Sequence, residues 1–197
     1  MRTVLFTVVM TTMVLLTGCP ILDDFHVQIS IQDDGSYVFE YDGLIIDSVT
    51  KEVIASGDVL SEKDEDYVLS EYKDIFDAPG YKDTRYLGDG EFRVRYQKSM
   101  APGESFSFIG GEFVYFRVEP TDSRVRFVMH EVPEDLQEQL QAVGIRISGR
   151  VSISSQLPTV RHDADIIRSD NEDEKTLVWE FGPGGYSERS ATFSVDS

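Results

Sequence analysis

Hydrophobic and polar residues alternate with a period of two in several stretches of the chain. That spacing suits a half-buried strand, whose successive side chains point to opposite faces. Phe25, Val27, Ile29 and Ile31 alternate with His26, Gln28, Ser30 and Gln32. Asp33-Asp34-Gly35-Ser36 then supplies turn chemistry, and Tyr37, Phe39 and Tyr41 resume the alternation. The pattern predicts a β-hairpin. Phe92, Val94 and Tyr96, then Phe106 and Phe108, then Val125, Phe127 and Met129 repeat it further along. Phe113 to Glu119 is apolar enough for a strand covered on both faces. Ile145, Ile147, Val151 and Ile153 predict another strand, followed by single strands over Val160 to Ile167 and Thr176 to Phe181.

Helical spacing occurs in fewer places. Ser61 with Asp64 three residues on forms a capping pair, and Glu62, Asp64, Glu65 and Asp66 suit the positive end of a helix. Val68, Tyr72, Ile75 and Phe76 supply its apolar face, and Ala78-Pro79-Gly80 ends it. A shorter helix opens at Pro133, carries Leu136, Leu140 and Val143 on one face and stops at Gly144. Between Ile46 and Gly57 two readings stand. Ile46, Val49 and Val53 fit a helix, which is slightly favoured, while the β-branched content also suits a hairpin.

Hairpins with inserted helices, and no repeated strand-helix-strand alternation, predict an α+β fold: an antiparallel β-sheet of about seven to nine strands with two or three helices. The division that follows is a signal segment over 1–18, a short tether over 19–24, one α+β domain over 25–181 and a Gly/Ser-rich tail over 182–197 beginning at Gly182-Pro183-Gly184-Gly185.

The signal segment rests on Arg2 as a positive start, Val4 to Leu16 as an apolar run broken by threonines, and small residues before the chain's only cysteine. The run falls short of the roughly 20 apolar residues of a retained membrane span. Leu16-Thr17-Gly18-Cys19 resembles the lipobox of bacterial lipoproteins. The resemblance implies cleavage before Cys19, a diacylglycerol such as a palmitate-bearing one on its sulfur, and anchorage in the cell envelope on the extracytoplasmic side. Pro20 stands where aspartate would resemble an inner-membrane retention signal, which tilts the expectation to the periplasmic face of the outer membrane.

Charge narrows the partners. The chain holds 36 acidic against 18 basic residues, a formal net charge of −18 at pH 7. Such a field repels phosphodiester backbones, so nucleic acid is not an expected partner. The expected partners are the membrane, through the N-terminal lipid, and an envelope lipid, glycan or protein. Between Asp33 and Asp83 fifteen acidic residues face four lysines, whereas from Arg85 to Arg126 seven basic residues slightly outnumber six acidic ones.

Candidate chemistry is sparse. No serine sits in a Gly-x-Ser-x-Gly frame, and Gly88-x-Gly90 leads into a strand pattern rather than a phosphate-binding helix. His162, Asp163 and Asp165 form the most site-like cluster, but on one strand the histidine and the carboxylates point to opposite faces, so no metal site is expected. His26 and His130 fall in other strands. Asp170, Glu172, Asp173 and Glu174 read as a solvated loop, since Lys175 stands where a calcium loop of the EF-hand type requires glycine. The remaining candidate is a face for an anionic ligand made by Arg93, Arg95, Arg124, Arg126, Arg146 and Arg150, all at polar positions of expected strands. Cross-strand pairing with the surplus carboxylates is the competing role for these arginines. The aromatic residues concentrated in the strands suit a packed core and, alternatively, a cavity for an acyl chain.

The first hairpin, Arg85-Tyr86-Leu87-Gly88-Asp89-Gly90, and the run from Ile147-Ser148-Gly149 through Val160-Arg161-His162-Asp163-Ala164 to Trp179 together resemble the LppM-type domain of bacterial lipoproteins. This resemblance implies a membrane-tethered domain that interacts with envelope lipid or glycolipid. The resulting expectation is a lipoprotein acting as a non-catalytic binding or scaffold module for lipid or glycolipid headgroups, without a cofactor. An acyl-chain carrier and an envelope hydrolase using carboxylates are the alternatives.

Overall fold

The computed structural model describes residues 20–109, 115–121, 123–169, 174–182 and 187–195. Cys19 and the signal segment lie outside the described residues, as do Asp170, Glu172 and Asp173. The hairpin forms where the alternation places it, as β1 (Pro20–Ile31) and β2 (Tyr37–Asp47). Two helices follow, α1 (Ser48–Ala55) and α2 (Glu62–Phe76). The chain continues through β3 (Tyr81–Gly88), β4 (Glu91–Met100), β5 (Phe106–Phe108), β6 (Phe116–Thr121), β7 (Arg124–Met129) and α3 (Glu134–Ala142). It ends with β8 (Gly149–Ser155), β9 (Thr159–His162), β10 (Ile166–Ser169), β11 (Lys175–Phe181) and β12 (Arg189–Ser194).

The class is α+β, with the strands divided between two sheets rather than gathered in one. A seven-stranded sheet runs β10-β11-β8-β1-β2-β4-β3, and a five-stranded sheet runs β5-β6-β7-β12-β9. Pairing is antiparallel except between β1 and β8, where Phe25 to Ile31 run parallel to Gly149 to Ser155. That exception is possible because more than a hundred residues separate the two strands, far beyond the minimum a parallel crossover needs.

Inward-facing aromatics join the sheets. The Phe39 ring of β2 lies 4.8 Å from Phe106 and 5.1 Å from Phe108, and Phe25 of β1 meets Phe116 edge-on at 5.9 Å. The seven-stranded sheet is wider than its partner, and α2 covers the inner face beyond it. There Phe92 of β4 packs 4.8 Å from Tyr72 and 5.0 Å from Phe76. These rings pack directly against one another, so the interior between them is filled by side chains.

Several boundaries differ from expectation, and Ile145 and Ile147 precede β8 in a loop. The tether over 19–24 is already strand from Pro20, paired with Asp47. The tail over 182–197 contains β12, which lies between β7 and β9 in the five-stranded sheet. Val160 to Ile167 is two strands, because the chain leaves the five-stranded sheet after His162 and joins the seven-stranded one at Ile166.

Candidate functional site

At the end of the sandwich where β1 begins, α1 and α2 enclose an open groove of about 700 Å³. Asp47 builds its floor. This residue ends β2, and its Oδ1 accepts from the backbone N–H of Thr50 at 2.7 Å, so it caps α1 and resolves the ambiguous segment as a helix. Its Oδ2 accepts from the Tyr72 hydroxyl of α2 at 3.2 Å, tying the two helices together beneath the groove. Gly90 packs against Thr50, and its carbonyl accepts from the Asp47 N–H at 2.8 Å. At φ +72° it is in the left-handed region, and a Cβ there would stand 2.7 Å from the Cβ of Thr50.

The second helix is fixed by the expected cap. Asp64 N–H donates to Ser61 Oγ, while the Ser61 N–H and hydroxyl donate to Asp64 Oδ2 at 3.0 and 2.6 Å. Those bonds from Ser61 hold the Asp64 carboxyl below its usual pKa. Val68 and Tyr72 are buried at the base of the groove, and Tyr67 and Ile75, one step round the helix, line it at its more exposed side. Val49 and Val53 of α1 form the facing wall, and Pro20, Val59 and Leu60 contribute to the lining. Much of this apolar surface is open to water, with Val59 92% and Tyr67 64% exposed. Asp58, Asp64 and Glu71 add carboxylates to the lining. An apolar trough with an acidic component offers surface suited to aliphatic groups and disfavours an anionic group inside it.

The six arginines do not converge. Arg93 and Arg95 of β4 and Arg150 of β8 lie in the seven-stranded sheet, Arg124 and Arg126 of β7 lie in the five-stranded sheet, and Arg146 is in the loop between α3 and β8. The sheets share their inner faces, so the two groups of strand arginines point away from each other. Most are paired. Arg93 donates to Asp42 Oδ1 through Nε at 3.0 Å and through a terminal nitrogen at 2.6 Å, and reaches Asp24 at 2.9 Å. Partial burial works to lower the Arg93 pKa, and the bonds to Asp42 and Asp24 outweigh it, leaving the pKa raised. Arg95 pairs with Asp83 at 2.8 Å, Arg126 with Glu119 at 3.5 Å and Arg150 with Glu180, each partner directly opposite in strand register. Only Arg124 and Arg146 of the six are exposed without an ion pair to another described residue.

His162, Asp163 and Asp165 hold the crossover between the sheets. His162 Nδ1 accepts from Ala164 N–H at 3.2 Å. Asp163 Oδ1 accepts from the Trp179 indole and from Ser190 N–H. Asp165 accepts from Glu180 N–H at 3.0 Å and pairs with Arg189 at 3.4 Å. His162 Nδ1, Asp163 Oδ1 and both Asp165 oxygens are thus engaged by the fold, and among the described residues no group of three or more His, Cys, Asp or Glu is arranged to hold a metal ion. Among those residues, too, no helix is long and apolar enough to cross a membrane.

The groove was the feature that strand periodicity could not reveal. Its trace in the sequence is a second set of apolar helical positions, Val49, Val53 and Tyr67, beyond those the core requires. No family model matches the chain, and no curated protein matches it. Among solved structures it is similar to the NMR structure of the Mycobacterium tuberculosis LppM protein folded domain, with a TM-score of 0.41 and 13% identity, covering 88% of this chain and 90% of that one.

Proposed function

We propose that this protein is a lipid-anchored lipoprotein of the bacterial cell envelope, and that its folded domain is a non-catalytic module that binds the acyl chain of a lipid in the α1–α2 groove. One observation carries the binding role: an apolar groove of about 700 Å³ between two helices, beside the first residue after Cys19. Its volume falls within the roughly 300–1,000 Å³ usual for small-molecule sites. The lipobox pattern supports the anchor, with Cys19 as the acylated residue. A headgroup site on a common arginine face receives no support from the geometry, since those side chains serve opposite sheets and cross-strand pairs.

Titration with a fluorescent long-chain fatty acid tests the groove. Saturable binding is expected, and it should be lost in Val53→Asp, which places a charge in the apolar wall, while Asp33→Asn at the far hairpin turn leaves it intact. Mass spectrometry tests the anchor: the mature N-terminal peptide should begin at acylated Cys19, and an intact Met1 peptide would refute it. A panel of ester, phosphoester, peptide and glycoside substrates should show no turnover. Activity abolished by His162→Ala or Asp163→Asn, with an unchanged circular dichroism spectrum, would replace the binding reading with an enzymatic one.

A further inference from the structure

We infer that the mouth of the α1–α2 groove docks into a zwitterionic lipid surface, so that the groove opens directly onto the bilayer in which the chain is anchored. The inference rests on the lipid-anchor reading of Cys19 and extends it from attachment to orientation.

The first ground is the missing linker. Pro20 both begins β1 and lines the groove. Neighbouring Cα atoms are about 3.8 Å apart, so an acylated Cys19 holds this end of the sheet at headgroup level. Pro20 also stands opposite Asp47, the residue from which α1 starts, so the helices emerge at the same end. The β1–β2 turn at Asp33 is at the other end of β1, roughly 35 Å away at the usual rise of a strand.

A second ground is what this end exposes. Val59 and Tyr67 project into water at the groove, with Val49, Val53 and Ile75 partly open beside them. Contiguous exposed apolar side chains mark a contact surface, and tyrosine is favoured where hydrocarbon gives way to headgroups.

Charge then decides which surface. Residues 47–77 hold ten carboxylates against Lys51, Lys63 and Lys73. An anionic leaflet repels this segment, whereas a zwitterionic one leaves the apolar contact unopposed.

The test uses the acylated, processed protein. Cys19 is the only cysteine and its sulfur is blocked by lipid, so Val59→Cys, Tyr67→Cys and Asp33→Cys each add one free thiol for a nitroxide label. Each protein is reconstituted in phosphatidylcholine vesicles, and label collision is measured with oxygen, which partitions into lipid, and with a water-soluble nickel chelate. The oxygen-to-nickel ratio should be severalfold higher at positions 59 and 67 than at 33. It should fall at those two positions when phosphatidylglycerol replaces part of the lipid at low ionic strength, and recover with salt. Equal ratios at all three positions overturn the docking. Shielding of 59 and 67 from both reagents also overturns it, because protein then covers the groove, whether a partner or a second copy. No response to phosphatidylglycerol overturns the choice of a zwitterionic surface. Mass spectrometry of the same samples separates the causes: an unacylated N-terminus refutes the anchor itself, whereas an acylated one with equal ratios refutes only the orientation.

Discussion

Trp179 Nε1 donates to Asp163 Oδ1 at 2.8 Å, and the same oxygen accepts from Ser190 N–H at 3.0 Å. One carboxylate thereby joins β11, β12 and the segment that passes between the two sheets. Trp179 is fully buried, so its indole N–H has no water to replace a lost partner. Asp163→Asn retains an oxygen acceptor and should leave the urea midpoint close to that of the parent. Asp163→Ala strands the indole and should cost about 1–3 kcal/mol. Equal loss in both variants would mean that the negative charge, and not the acceptor, holds the crossover.

Asp47 has two dependants, the α1 cap and the Tyr72 hydroxyl. Asp47→Ala removes both and should cost about 1–3 kcal/mol, beyond the roughly 1 kcal/mol typical of a lost cap alone. Tyr72→Phe removes only the hydroxyl bond and should cost about 0.5–1.5 kcal/mol. In a double-mutant cycle read by urea denaturation, the two changes should be less than additive, because the same bond is lost in each. Full additivity would show that the helices are held together without that bond.

The strands and helices were legible to different depths. Ser61 and Asp64 mark the start of α2 because a capping box is a local device, complete within four residues. The β1–β2 hairpin is local in the same way. The arginines show the limit: alternation tells which face of its strand Arg93 or Arg126 occupies, but not which sheet that strand joins. Pairing is decided by distant partners, and so is the parallel contact of β1 with β8. β12 escaped because its two inward residues, Ala191 and Phe193, form a short alternation behind a glycine-rich stretch that resembles a tail. β3 escaped because it is an edge strand with mostly exposed side chains, so it lacks a continuous apolar face. The groove stayed hidden because it is a space between helices, and a sequence lists side chains without the gaps between them.

Alkaline pH should weaken the fold once it passes the range in which an exposed tyrosine ionises. Burial pushes the Tyr81 hydroxyl up to about 12, with Tyr96 alongside adding to the shift. Burial also raises Tyr37, helped by the nearby Glu104 carboxylate, and its hydroxyl donates to the Glu104 carbonyl at 2.7 Å. Unfolded, both ionise near the ordinary value of 10.0. Below that pH both states are protonated and the tyrosine contribution is complete. Between about 10 and 12 the unfolded chain loses protons that the native one keeps, so stability falls as pH rises. The urea midpoint should therefore drop across this window, and Tyr81→Phe should make the drop shallower. A midpoint that stays constant to pH 12 would contradict the burial of these hydroxyls.

The arginines should prove dispensable for ligand binding. Arg93, Arg95 and Arg126 are engaged with carboxylates, and Arg124 lies with Arg126 on the sheet opposite the other two. Changing all four to glutamine removes exposed or half-exposed pairs, each contributing at most about 1 kcal/mol. The cost should concentrate at Arg93, which alone bridges two aspartates. Fatty-acid affinity in the groove should match the parent, since none of these side chains lines it. The comparison is decisive when run beside anionic vesicles. A quadruple variant that keeps fatty-acid binding but loses saturable, salt-sensitive attachment to anionic lipid would reveal a second, arginine-dependent site outside the groove. Attachment that instead increases with the loss of Asp58, Asp64 and Glu71, and is indifferent to the arginines, identifies the carboxylates beside the groove as the determinant of which lipid surface this domain meets.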